Sequence, residues 1–437
     1  MLVVLPRRAR RVLEAALRRQ LSGVASKDAP SLVGQSLSWV PPRFSEGPGA
    51  WGSSSRRRRA AFPQPSEAGA VTDPALASSP SSPSSSSGGG RAARRSQQLT
   101  DEIDALVQKW QASEEQLRRR DEAVQDLRRQ LQAAIPGSDL LPFGSVATGL
   151  WLKGSDVDLS LQVPGSEGRV ETKMVLHRVG AAIHRFSGDK AERRLTARVP
   201  VLRWTPSHDK NLPCCDISVN NLLALANSKL ICAYIAAEPG LRNLAVAIKT
   251  WARARGINDR SRGTLSSFAL TLMAVHVLQR QRILPSLQDL AVLRGEPRYE
   301  VMGFDCRFCT DPEVISQEAA RLGTLHRDDE IRPRGGNLGA LLLAFFKYFG
   351  SEYRGGVIAV RSSATTEVKA SEWASGRFFL VDNPFEPGKD VANVDTGQQT
   401  RIREEFRRAY NHLRRGGSLE ELCKRAEGNS DSDDDPM

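Results

Sequence analysis

Residues 140–163, LLPFGSVATGLWLKGSDVDLSLQV, decide how the chain is read. The apolar run 140–143 has the character of a short strand, Gly144 and Ser145 form the turn that leaves it, and 156–161 alternates polar with apolar residues like a half-buried strand. That alternation puts Asp156 and Asp158 on one face. Carboxylates held side by side repel each other unless a cation sits between them, so the pair asks for a divalent metal. Gly144 lets the backbone approach a ligand closely, and the amides and hydroxyl after it can hold phosphate oxygens. An isolated Asp-x-Asp is more often a solvated strand face; the Gly-Ser before it separates the two readings here.

Moving outward, 212–221 (LPCCDISVNN) places Asp216 in a further apolar strand, with Asn220 and Asn221 just beyond it. A Gly-Ser, an Asp-x-Asp and a third carboxylate on a later strand together resemble the signature of the DNA polymerase β-like nucleotidyltransferases. Residues 241–279, LRNLAVAIKTWARARGINDRSRGTLSSFALTLMAVHVLQ, are more specific. Their Lys-x-Trp-Ala pattern, Ile-Asn and Gly-Thr-Leu-Ser-Ser-aromatic run resemble the central domain of the poly(A) polymerase-associated, terminal uridylyltransferase-like family. Pro285-Ser286-Leu287-Gln288 and Asn383-Pro384-Phe385-Glu386 fit the same family, so the resemblance extends over 99–415.

The resemblance implies an α+β fold of two lobes, with a small mixed-sheet catalytic (palm) domain and a mainly helical central domain. It implies template-independent addition of ribonucleotides to RNA 3′ ends, with UTP slightly favoured over ATP. The alternatives are a poly(A) polymerase adding AMP and an inactive RNA-binding scaffold, against which the intact set of carboxylates argues. By the same resemblance Asp156 and Asp158 hold two Mg2+ ions, with Mn2+ as a substitute, and Asp216 assists the one that activates the attacking hydroxyl. Ser145, following Gly144, would hold terminal phosphate oxygens. Lys249 and Arg253 share a helix face and would bind the triphosphate together with Ser267. Asn227 would contact the ribose hydroxyl, Phe268 would stack beneath the base, and Glu386 would accept the N3 hydrogen that uracil has and adenine lacks.

The plain reading of Lys249 is a solvated helix charge, which its apolar surroundings, 246–251, argue against. For Phe268 the plain reading is a core side chain. The chain departs from the family pattern at Asn383, where aspartate is common, and at Lys389, near a frequent histidine. Arg253 and Phe268 replace a common lysine and tyrosine.

The formal net charge of +12 favours a polyanionic partner over an acidic small molecule. Expected partners are an RNA 3′ end and UTP or ATP, and no membrane, since no apolar run approaches the length of a bilayer span. Six cysteines without framework spacing suit a reducing compartment, and Cys306-Arg-Phe-Cys309 has no second pair to complete a zinc site. Residues 1–26, rich in Arg and Leu, read as an organelle presequence, mitochondrial by composition. The run Arg56 to Arg59 offers a nuclear reading, and a cytoplasmic one stays open.

Residues 27–98 are dominated by Ser, Pro, Gly and Arg and are expected to be disordered. A long helix is expected from Leu99, N-capped by Thr100 and packed on the catalytic unit. Ile103, Trp110, Leu117, Val124 and Leu131 have heptad spacing, but Ser113 and Arg120 spoil a coiled coil. The helix and palm would occupy 99–221, with a further helix over 171–186 and a strand over 194–204. The helical domain would occupy 222–415, with helices at 222–236, 241–255, 264–280 and 337–350, an irregular stretch at 281–335, and strands at 357–361 and 377–381 returning to the catalytic side. Residues 416–437 read as an acidic, solvated tail.

Overall fold

The computed structural model describes residues 87–209, 212–324, 337–361 and 378–424. The expected presequence, the part of the expected disordered stretch before Ser87, with the Arg56 to Arg59 run, and the acidic end after Lys424 lie outside them. The described chain begins with two helices, α1 (Ser87–Trp110) and α2 (Glu114–Ala134), where the pattern suggests one. Ser113 causes the break. Its extended backbone and hydroxyl cap the Gln116 amide while the Gln116 side chain accepts from the Ser113 amide, a reciprocal capping box. The heptad positions are therefore divided between two bodies. Leu99, Ile103, Leu106 and Val107 enter one hydrophobic cluster, whereas Val124, Leu127 and Leu131 enter another. Arg120, a charge at a heptad position, is buried with its guanidinium 4.9 Å from the Trp151 ring centroid.

The palm follows in chain order: β1 (Asp139–Pro142), α3 (Gly144–Thr148), β2 (Val157–Gln162), α4 (Arg169–Ser187), β3 (Glu192–Arg194), β4 (Val201–Trp204) and β5 (Cys215–Val219). The strands form a five-stranded sheet in the order β1-β2-β5-β4-β3, in which β2 and β5 run parallel and the other neighbours antiparallel. Val157, Leu159, Leu161 and Ile217 are fully buried, and Val175, Leu176, Val179 and Ile183 of α4 pack with them. The single strand expected over 194–204 is instead the β3–β4 hairpin. Pro200, without an amide hydrogen, sits just ahead of β4, where a strand tolerates it.

The helical lobe consists of α5 (Leu222–Ala237), α6 (Gly240–Ala254), α7 (Ser267–Arg280), α8 (Leu287–Leu293), β6 (Glu300–Val301), β7 (Phe304–Asp305), α9 (Pro312–Thr324), α10 (Leu338–Lys347), β8 (Val357–Ile358), β9 (Leu380–Val381), α11 (Gln399–Arg414) and α12 (Leu419–Leu422). Its centre is aromatic: Trp251, Phe345, Phe346, Phe349, Phe379 and Phe406 are fully buried, with Trp251 and Phe346 edge to face at 4.7 Å. The 281–335 stretch is partly regular, carrying α8, the β6–β7 hairpin and α9. Cys306 and Cys309 are core residues of this lobe, and among the described residues no group of three or more metal-binding side chains surrounds them. β8 and β9 pair only with each other, and Ile358 and Val381 join the helical-lobe core rather than the palm sheet. Among the described residues no single helix is long and apolar enough to cross a membrane.

Two expected boundaries move. Residues 87–98 belong to α1, and Thr100 lies inside the helix, donating to the Ser96 carbonyl and accepting from the Gly339 amide. A Cβ on Gly339 would stand 2.1 Å from the Ser96 carbonyl oxygen, so the contact between α1 and α10 is backbone on backbone. At the other end, Ser418 caps α12, and Leu419 and Leu422 are buried instead of solvated. Arg95 donates to the Leu413 and Gly417 carbonyls, and Glu102 accepts from the Leu419 amide at 2.6 Å. These contacts lie outside what the polar composition of either segment suggests. A protein starting at Leu99 should therefore melt several degrees below one starting at Ser87, since it loses hydrogen bonds each contributing about 1 kcal/mol. Paired thermal denaturation of the two proteins checks this, and equal melting temperatures would contradict it.

Candidate active site

Sheet topology brings the carboxylates together. In the parallel β2–β5 register Asp158 stands opposite Asp216, and in the antiparallel β4–β5 register Asp216 stands opposite Arg203. Asp156 immediately precedes β2 and joins the same face. Nη2 of Arg203 lies 2.9 Å from both Asp156 carboxylate oxygens, and Nη1 lies 3.5 and 3.4 Å from the two oxygens of Asp216. Asp158 stands outside this pairing. Burial, then the neighbouring Asp216 and Asp156 charges, push its carboxyl up to about 7. Burial likewise raises Asp216, with the Arg203 charge opposing it.

Lys249, from α6 of the other lobe, completes the charge pattern. Burial, reinforced by Arg253, lowers its ammonium to about 8, while Asp158 and Asp156 pull it back up. Desolvation outweighs their mutual attraction on both Asp158 and Lys249, each of which is half-buried. Asp156, Asp158 and Asp216 are the hard oxygen donors that would hold a divalent cation such as Mg2+; with Arg203 lying against Asp156 and Asp216, the described residues form no group of three poised around a metal ion.

The turn beside the carboxylates needs its glycine. Gly144 has φ of +62°, and a Cβ there would lie 2.8 Å from Oδ2 of Asp158. Its amide donates to the Ser228 hydroxyl at 2.8 Å, tying the turn to α5. Ser145 follows it at the start of α3. Asn227 is buried and donates to Oδ1 of Asn383 at 3.3 Å, while its own Oδ1 has no partner among the described residues. A buried acceptor of this kind suits a hydroxyl donor.

Ser267 is exposed and donates to Oδ1 of Asn258 at 3.1 Å, whereas Ser266 caps α7. Phe268 is partly buried against the helical-lobe core, and Arg253 is exposed on α6. Glu386 is already engaged: Oε2 accepts from Asn383 at 2.7 Å and from the Lys389 ammonium, and Oε1 lies 3.4 Å from Arg198 of the palm. Its acceptor capacity is thus shared with its own segment before any base arrives.

Sequence reasoning missed Arg203, Ser228, Asn258 and Arg198. Arg203 is the lone charge in the apolar strand VLRW, a signal visible in the sequence, but its partners follow only from the strand order.

A mixed sheet carrying carboxylates on neighbouring strands, faced by a helical lobe that contributes a half-buried lysine, is the two-lobed nucleotidyltransferase fold. Residues 99–236 match the family model of the "Poly(A) RNA polymerase, mitochondrial-like, central palm domain". Poly(A) RNA polymerase cid11 of Schizosaccharomyces pombe is 28% identical over 338 residues, 75% of this chain and 65% of that protein. Poly(A) RNA polymerase GLD2 of Xenopus tropicalis is 31% identical over 330 residues, 72% of this chain and 59% of that protein. A solved structure of Cid1, described for its RNA terminal uridylyl transferase activity, matches with a TM-score of 0.64 at 25% identity, covering 76% of this chain and 99% of that one. Over these spans the chain is similar to members of the terminal uridylyltransferase and poly(A) polymerase family. It spans less than two thirds of the length of either of these two curated relatives.

The buried Asp158 carboxyl sets a pH dependence. Its folded value of about 7 exceeds the unfolded 3.8. Its ionisation therefore works against folding: no stability is lost at low pH, and the loss accumulates as pH rises between those values and persists above them. In chelator, Asp158→Asn should melt several degrees above wild type near pH ~8 and match it near pH ~4. Melting curves at both pH values test this; a variant less stable than wild type at the higher pH would contradict it.

Proposed function

We propose that this chain is a template-independent RNA 3′-terminal nucleotidyltransferase that takes UMP or AMP from the corresponding nucleoside triphosphate. The observation that carries the reading is the Asp158–Asp216 row with Asp156 beside it and Lys249 facing it from the other lobe. Solved Cid1 structures include forms bound to MgGTP and to Mg 3′-dATP. Magnesium, with manganese as a substitute, is the cation assigned to these carboxylates; when bound it neutralises charge on the attacking hydroxyl, the α-phosphorus and the departing pyrophosphate.

The chain's own groups do the rest. Ser145 and the Gly144 turn receive terminal phosphate oxygens, and Lys249, Arg253 and Ser267 bind the triphosphate from the helical lobe. The unpartnered Oδ1 of Asn227 accepts from a ribose hydroxyl, which selects ribonucleotides, and Phe268 stacks beneath the base. RNA is gripped through phosphate contacts by the basic surface, with little sequence preference. The mitochondrial address rests on the composition of residues 1–26 alone.

Base choice is relaxed in this reading. The lean towards UTP rests on Glu386 as an acceptor, yet Lys389, Asn383 and Arg198 already draw on that carboxylate. Of the matching relatives, cid11 and GLD2 are named as poly(A) polymerases and another as a terminal uridylyltransferase, and the structural neighbour is described as a uridylyl transferase. Incubating purified protein with a short RNA, Mg2+ and each nucleoside triphosphate separately should give extension with both UTP and ATP, reduced to background in Asp216→Asn. Glu386→Ala should lower both activities by about the same factor, ~10-fold, because it frees Asn383 and Lys389 together. A selective loss of UTP incorporation would show that Glu386 reads uracil.

A further inference from the structure

Arg203 lies inside the carboxylate row, not beside it. β4 neighbours β5, so the guanidinium starts opposite Asp216 and reaches across β5 to Asp156 at the entrance to β2. One nitrogen is equidistant, at 2.9 Å, from both Asp156 oxygens, and the other contacts Asp216 at 3.4 Å. The side chain is 24% exposed, the same as that of Asp216. A guanidinium bridging two carboxylates occupies lone pairs that a hard cation would need. Asp158, the remaining carboxylate, lies outside the fork.

We propose that Arg203 is a resident counter-cation for the active site. It positions Asp156 and Asp216 against their mutual repulsion, and it must release Asp156 before a divalent cation can take that carboxylate. Arg203 is thus a positioning residue that competes with the metal, and it sets the metal concentration at which the site fills. The inference rests on the reading of Asp156, Asp158 and Asp216 as the metal site. An arginine that merely braced the sheet would behave differently. Losing a brace weakens both the fold and the metal site, whereas losing a competitor weakens the metal-free fold and strengthens metal binding.

The test uses the full chain, with Mn2+ as the probe followed by electron paramagnetic resonance and melting temperature measured in chelator. Arg203→Gln should bind Mn2+ about tenfold more tightly than wild type, the order expected for removing a unit charge at contact distance in a partly screened site. It should also melt lower than wild type in chelator. Arg203→Lys keeps the charge but cannot fork between two carboxylates, so its Mn2+ affinity should fall between the two, and it serves as the measure if the glutamine variant does not fold. Unchanged or weaker Mn2+ binding in these variants overturns the proposal while leaving the metal site standing, provided Asp216→Asn lowers Mn2+ binding in wild type. If Asp216→Asn leaves Mn2+ binding unchanged, the metal-site reading fails and the proposal fails with it.

Discussion

Negative charge confined to two neighbouring strands is the constraint from which the rest of this molecule follows. The parallel β2–β5 pair sets Asp158 against Asp216, and Asp156 adds a third carboxylate at the strand entrance. Such a cluster repels itself, and the fold answers with cations from opposite directions: Arg203 from within the sheet and Lys249 from α6. The palm by itself therefore holds a site that is incompletely compensated. Closing the charge balance requires the helical lobe, which places the working centre between two bodies rather than inside either.

What was legible in the sequence divides along the range of the interactions involved. Asp156, Asp158 and Asp216 could be found because strand periodicity and apolar flanks are local properties, and Lys249 stood out because its neighbours on α6 are apolar. The Arg203 clamp depends on β4 lying next to β5, a pairing of segments that no local pattern encodes. The same holds for β8 and β9, whose short apolar runs suit any sheet and were decided by the aromatic core that receives them. Residues 87–98 look like linker by composition; their helix is held by Arg95 and Ser96 meeting partners far along the chain. Ser113 is the opposite case, a local cap that outweighs an apparently continuous heptad.

Glu386 shows how a residue singled out in sequence can carry contacts that the sequence does not reveal. Asn383 contacts both Asn227 and Glu386, linking the two. The Glu386 carboxylate also ties its own segment to Lys389 and, through Arg198, to the β3–β4 connection of the palm. A group that shapes the pocket and one that reads the base make different demands on the same lone pairs.

The split of α1 from α2 carries one more consequence. Because α1 packs with α6, α10 and α12, whereas α2 packs with the palm, the helical lobe is discontinuous in the chain and the palm is inserted within it. During synthesis the palm can condense as soon as β5 has emerged. α1 must wait, its apolar face uncovered, until α6 and then α10 leave the ribosome, a non-local closure that is intrinsically slow, and its polar contact with Leu419 closes later still. The period of exposure is set by the length of chain between Leu99 and α10. In the cell, α1, the first helix among the described residues, would be the one most in need of a chaperone.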